Sequence, residues 1–233
     1  MKSCALFCII IFFITASAEE KSNFSPSKLI DRLYSKYAPA YEKYSGVLSR
    51  RRVETKAYDP DTDKLLYTEK TVLMRKNYFY KPPDVNVLSY IVDGEKKSPD
   101  SYNSEETAPF YPVFGPKGKK NYKLVYRGEK TVEGEDCYHF SVDPLKKGFR
   151  YFSGNIYITQ EDERLLLQEG VASKMHWAVK EFYIKYFFED LPENIPALKK
   201  GKVKARVHVF LIRPDRRFVY ELESFSNKSL KKE

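Results

Sequence analysis

The sequence predicts a mainly β fold, an antiparallel sheet of about ten strands curved over one N-terminal helix. Three observations carry this expectation. Segment after segment alternates apolar and polar residues, the period of a half-buried strand. Clusters of Gly, Pro and Asp separate the segments at short intervals, as in chains of hairpins. One stretch alone, near the start, places its apolar residues at helical spacing. Aromatic residues make up 15% of the 233-residue chain, enough to fill the interior of a curved sheet.

The chain opens with Lys2, an apolar run over Ala5–Ile14, and small residues at Ala16 and Ala18. This is the layout of an export signal cut after Ala18. The apolar run is shorter than the roughly 20 residues that a bilayer span needs. Cys4 and Cys8 lie inside it rather than at the first mature position, which argues against a lipoprotein anchor. Residues 19–233 then form one domain with Cys137 as the sole thiol. A lone cysteine makes no internal disulfide, so packing must supply the stability. Its simplest role is that of a small buried hydrophobe.

Ser25-Pro26 reads as a helix start, N-cap followed by first-turn proline. Ile30, Leu33, Tyr34 and Tyr37 form its apolar stripe, continued loosely by Tyr41 and Tyr44 to a stop at Gly46. Val47–Tyr58 and Leu65–Tyr80 predict a long hairpin about the turn 59–63, and Val87–Asp93 a third strand. Residues 98–120 hold four prolines and two glycines without periodicity, and a loop of this length is usually functional or mobile. Its Phe110, Tyr111 and Phe114 call for an apolar surface to pack on. Strands resume at Tyr122–Arg127, with a turn expected at Gly128. They continue through Cys137–Val142, Asn155–Gln160 and Arg164–Gly170, and through Val171–Glu189 as one or two strands. A short helical turn is expected over Leu191–Pro196. A last hairpin pairs Val203–Ile212 with Arg217–Phe225.

The motifs that carry chemistry fail. His139, His176 and His208 lie far apart in sequence with a single cysteine, so no zinc site is expected. Asp59, Asp61 and Asp63 begin like a calcium loop, but the positions that need Gly and Glu hold Lys64 and Lys70. A hairpin turn is the better reading. No nucleophile elbow, phosphate loop or dinucleotide fingerprint is present. The expectation is a binding or carrier protein, not an enzyme, without cofactor or metal.

The formal net charge is +9. Much of it sits in Arg50–Arg52, Lys117/Lys119/Lys120, Lys199/Lys200/Lys202/Lys204 and Lys228/Lys231/Lys232. Such runs are usually solvated faces and tails. The sharper reading is attraction to an acidic partner protein or an anionic membrane surface. Nucleic acid is not expected for an exported chain. Arg50 and Arg52 share one strand face, and Arg51 faces the other way with Ser49 and Val53. An inward arginine needs hydrogen bonds and is a candidate head-group or lid contact. Cross-strand pairing with Glu69, or simple solvation, is the plainer alternative.

Several stretches together resemble the periplasmic lipoprotein-carrier superfamily, LolA-like and LolB-like. They are the helix leading to Tyr44-Ser45-Gly46, then Tyr126-Arg127-Gly128-Glu129 with Val132-Glu133-Gly134-Glu135-Asp136-Cys137-Tyr138, and Phe152-Ser153-Gly154-Asn155-Ile156-Tyr157-Ile158 followed by Glu163. The likeness spans about residues 25–225 and is closest to the outer-membrane lipoprotein-sorting type. It implies an unclosed antiparallel β-barrel over the helix, with a helical or loop lid and a cavity for the acyl chains of a lipid or lipoprotein. It also implies residence in the periplasm of a diderm bacterium and an early-strand arginine bonded to the lid. The segment 98–120 is longer than the family pattern. Alternation picks out Tyr122, Leu124, Tyr126, Tyr138, Phe140, Val142, Ile156 and Ile158 as cavity residues, then Leu88, Tyr90, Val72 and Met74. Arg50, Arg51 or Arg52 takes the lid or head-group contact. The alternative is an interaction or regulatory module on the same fold, its interior filled by Tyr and Phe.

Overall fold

The computed structural model describes residues 24–102, 109–208 and 215–232. The export signal expected over 1–18 lies outside them. Helix α1 runs Pro26–Lys43. The Ser25 hydroxyl caps it, accepting from the Lys28 N–H at 3.5 Å, and Lys43 stands at the negative end of its dipole. Pro39 lies inside the helix, which ends at Lys43 rather than at Gly46. Gly46 has a different task. A Cβ there would sit 2.1 Å from the Asn77 carbonyl oxygen, so only glycine lets the first two strands close.

Eleven strands follow: β1 Tyr44–Tyr58, β2 Leu65–Tyr78, β3 Asp84–Val92, β4 Glu95–Lys97, β5 Tyr122–Val132, β6 Glu135–Pro144, β7 Phe152–Thr159, β8 Leu165–Ala172, β9 Val179–Leu191, β10 Ile195–Val207 and β11 Arg216–Lys231. They form one antiparallel sheet in the order β4-β3-β2-β1-β11-β10-β9-β8-β7-β6-β5. The last strand returns beside the first, and β4 and β5 remain as unjoined edges, so the barrel is open. Antiparallel hairpins build nearly all of it, as the short turn-rich connections require.

Several expected boundaries move. Gly128 makes a bulge, not a turn: at φ +112° it lets β5 run on through the register shift between Tyr126 and Gly128. Leu191–Pro196 is a tight turn with Asn194 at φ +57°, not a helical one, because β9 and β10 pair directly across it. Of the segment 171–189, Val171 and Ala172 end β8 and 179–189 lie in β9, which leaves Trp177 in the loop between them. The lysines expected in a C-terminal tail are partly in β11, where Lys228 pairs with Leu48 and Lys231 with Tyr44. Of the stretch expected as Val203–Ile212, residues 209–212 lie outside the described residues.

The Asp59–Asp63 segment is a turn held by its own carboxylate. Asp59 Oδ1 accepts the N–H groups of Asp61 and Thr62, each at 3.0 Å.

The apolar core lies between α1 and one half of the sheet, β5–β10. Leu29, Leu33, Tyr34, Tyr37, Ala40 and Tyr41 of the helix meet Phe140, Val142, Ile156, Ile158, Ile184 and Ile195. Phe152 is fully buried and lies over the paired glycines Gly154 and Gly170, where a Cβ on either would approach its ring to within about 3 Å. The aromatic ring fills the notch that the two glycines leave. The Pro-rich segment closes the same core, with Phe114 packed on Tyr34 and Tyr37 at centroid distances of 5.6 and 5.7 Å and Phe110 on Phe152 at 5.9 Å.

Candidate binding face

The inner face of the sheet is the one that carries α1. Tyr122, Phe140, Val142, Ile156 and Ile158 all lie on it, essentially without solvent exposure, and Leu124, Tyr126 and Tyr138 pack partly buried beside them. Alternation groups each set on one face, and burial shows that face to be the inner one. They do not border open space, however. Phe24 stacks on Tyr138 at 4.3 Å, and the helix side chains occupy the remainder.

The other expected cavity residues divide. Tyr90 is inward and buried, its hydroxyl donating to Glu69 at 3.0 Å. Leu88 is 44% exposed. It is the extra residue of a bulge, because Val72 pairs with Ser89 and Leu73 with Val87, and the bulge breaks the two-residue period between Leu88 and Tyr90. Val72 and Met74 stand opposite Arg52 and Arg50 on the outer face, whereas Leu73 between them is the buried inward residue.

The same register separates the three arginines. Arg51 is inward, 6% exposed, in the buried row Ser49, Arg51, Val53, Thr55 and Ala57. Arg50 and Arg52 are outward and exposed. Arg52 pairs with Glu223 at 3.6 Å and lies over the Phe225 ring, not against Glu69. Around Arg51 the inner face is polar. Asn77 donates to Ser49 at 2.9 Å, Arg75 follows on β2, and Asn227 donates to Glu189 at 2.9 Å. This polar band divides the core under α1 from a second apolar area formed by Val53, Ala57, Leu73, Tyr220 and Leu222. Residue typing alone missed the band, although Ser49, Asn77 and Asn227 at inward strand positions were a signal for it.

The helix is fastened along one margin by polar contacts. Tyr37 donates its hydroxyl to Asp190 at 2.8 Å and accepts the Leu165 N–H at 3.0 Å. Burial and the Asp190 carboxylate push its phenol far above the ordinary range, so it stays protonated. Lys36 pairs with Asp190 at 3.0 Å and reaches the carbonyls of Asp162 and Glu163. Arg32 grips Glu163 with two nitrogens, at 3.0 and 2.5 Å. Every partner except the Leu165 amide belongs to the β7–β8 turn or the end of β9.

Three lysines of the lysine-rich runs form ion pairs, Lys119 with Asp31, Lys200 with Glu133, and Lys202 with Glu221, within 2.6–2.8 Å. Cys137 is buried in a small cluster on the outer face with Tyr157, Leu166, Leu167 and Phe187. Burial pushes its thiol up to about 11, so it is not an activated nucleophile. Among the described residues, two grooves open to solvent stand out. One, of about 360 Å³, runs along the C-terminal half of α1 beside Glu193 and Asn194, and one of about 590 Å³ lies on the outer face around Glu54, Lys70 and Asp93. No helix among the described residues is long and apolar enough to cross a membrane.

No protein-family model matches the chain, and no curated protein matches it. Among solved structures it is similar to a LolA superfamily protein from Nitrosomonas europaea, at 11% identity and a TM-score of 0.40, covering 90% of this chain and 95% of that one. It is also similar to a putative outer membrane lipoprotein-sorting protein domain from Vibrio parahaemolyticus, at 9% identity and 0.41, covering 87% and 91%. A third is a DUF1329 family protein from Desulfovibrio piger, at 12% and 0.38, covering 87% and 90%. The chain is thus similar to LolA superfamily structures.

Proposed function

We propose that this protein is a non-enzymatic carrier of the bacterial periplasm that binds an acyl chain of a lipid or lipoprotein beneath α1, the helix serving as its lid. The observation that carries the reading is the division of labour along α1. Its underside is apolar, and the polar contacts of Arg32, Lys36 and Tyr37 are gathered on the margin at the β7–β8 turn and the end of β9, where water can replace nearly all of them when the helix lifts.

The energies are commensurate. Exposing Leu29, Leu33, Tyr34, Tyr37 and Tyr41 costs about 10 kcal/mol at roughly 2 kcal/mol each. An acyl chain of about a dozen methylenes recovers a similar amount at ~0.8 kcal/mol per CH₂. A ligand of that length can take the place of the helix underside, and a short one cannot. The buried Arg51 beside the core supplies a cation for an anionic head group. Transfer to an acceptor then requires only that the acceptor bind the acyl chain more tightly.

A second reading, a protein-interaction module, is favoured by the close filling of the space under α1 with tyrosine and phenylalanine. Fluorescent fatty acids of graded length separate the two. The carrier takes up chains of about a dozen methylenes or more, with affinity rising with length. An interaction module takes up none at any length.

A further inference from the structure

The β6–β7 connection, residues 145–151, and the β8–β9 connection, 173–178, lie side by side at the end of the strands opposite the α1 fastenings. They are tied together from below. The Gly148 N–H donates to the Ser173 hydroxyl at 3.0 Å, the Ser173 N–H to the Tyr151 carbonyl at 2.7 Å, and Arg150 Nε to the Pro109 carbonyl at 3.1 Å. Above this base the side chains face solvent. Leu145 is 57% exposed, Phe149 53%, Met175 38% and Trp177 66%. These are four of the nine large hydrophobics exposed among the described residues, so this is a patch rather than scatter. Phe149, His176 and Trp177 form a continuous aromatic row, at centroid distances of 6.3 and 5.3 Å. Lys146, Lys147 and Lys174 are exposed around it, and neither connection contains a carboxylate.

We propose that these paired connections dock the protein on an anionic lipid bilayer, Trp177, Phe149, Met175 and Leu145 entering the interface while the three lysines meet the head groups. Tryptophan favours the bilayer interface, with its ring body apolar and its N–H wet. Charge complementarity selects this occupant: a loop pair with cations and no anions suits a negative surface, to which each lysine adds about fivefold in affinity. The surface is separate from the space under α1 and stands independently of the carrier reading. Docking through it leaves the helix fastenings in water.

Trp177 is the only tryptophan in the chain, so its fluorescence reports on this site alone. The test uses mature protein with vesicles of phosphatidylglycerol mixed with phosphatidylcholine, against phosphatidylcholine alone. The expected result is co-sedimentation with the anionic vesicles, a blue shift of Trp177 emission and its quenching by brominated acyl chains. The triple variant Lys146→Ala, Lys147→Ala, Lys174→Ala should lose roughly 100-fold in that affinity, at about fivefold per lysine, while keeping its fatty-acid uptake without vesicles. Binding with unshifted emission, no preference for anionic vesicles, or no binding with only self-association would each overturn the proposal. Fatty-acid uptake, read separately, decides the carrier reading.

Discussion

The two halves of the sheet use the same strand chemistry to opposite ends. In β5–β10 the inward positions are apolar and α1 seals them, giving a close-packed core that includes Phe140, Ile156 and Ile184. In β1–β3 and β11 the inward row mixes Ser49, Arg51, Asn77 and Asn227 with Val53, Ala57 and Leu73, and the main core takes from these strands only Tyr44 and Val47 at the start of β1. One helix 18 residues long cannot cover eleven strands. At ~1.5 Å per residue it spans about 27 Å, some five or six strands at ~4.8 Å each. Stability is therefore invested in the covered half, and the remaining inner face is left with polar groups that bond across strands.

The largest expected effect tests that division. Phe140→Ala removes a fully buried ring from under α1 and should cost about 3–5 kcal/mol. Leu222→Ala, on the half-buried inner face of β11, should cost about 1 kcal/mol. Urea titration of both at unchanged m-value checks the difference, and equal losses would mean that the two halves share one core. Tyr37→Phe comes next. It strands the Leu165 N–H and removes a donor from Asp190, for about 1–3 kcal/mol. If α1 is a lid, the same variant should also speed fatty-acid uptake, read by stopped-flow fluorescence. The exposed Arg32–Glu163 pair should matter less, with Arg32→Ala costing under about 1 kcal/mol.

Much of this contrast was legible in the sequence where strands are regular. Tyr122/Leu124/Tyr126 and Tyr138/Phe140/Val142 alternate cleanly, and period two placed each set together on one face. Alternation gives two faces without saying which is inside, and β2 shows the consequence. Val72 and Met74 look like the apolar face, yet Leu73 is inward, because register with β1 places them opposite Arg52 and Arg50. At Leu88 a bulge, invisible to periodicity, reverses the phase. The arginine triplet could be sorted only once pairing with β2 and β11 was known. Trp177 looked like part of a strand because its neighbours in 179–187 are one. Its loop position follows from the Ser173 bonds to residues 148 and 151, a tertiary constraint outside any local window.

The smallest expected effect lies where the two halves meet, just before β11. Asp215 receives Lys180 from β9 at 2.8 Å and His208 from the end of β10 at 2.6 Å, with Arg206 Nε at 3.4 Å. The hydrogen bonds from Lys180 and then His208 hold its carboxyl down at about 2, against an ordinary 3.8. A carboxylate lowered in the folded state favours folding at pH values above its unfolded pKa, and that contribution disappears as pH falls from about 4 to about 2. Carbon-detected NMR should place the Asp215 midpoint near the lower value. Asp215→Asn should flatten the acid limb of the stability profile between those limits. If the acid limb is instead identical in the variant, the strand ends at β9–β11 are held by backbone pairing alone, and the junction between the halves owes nothing to this charge cluster.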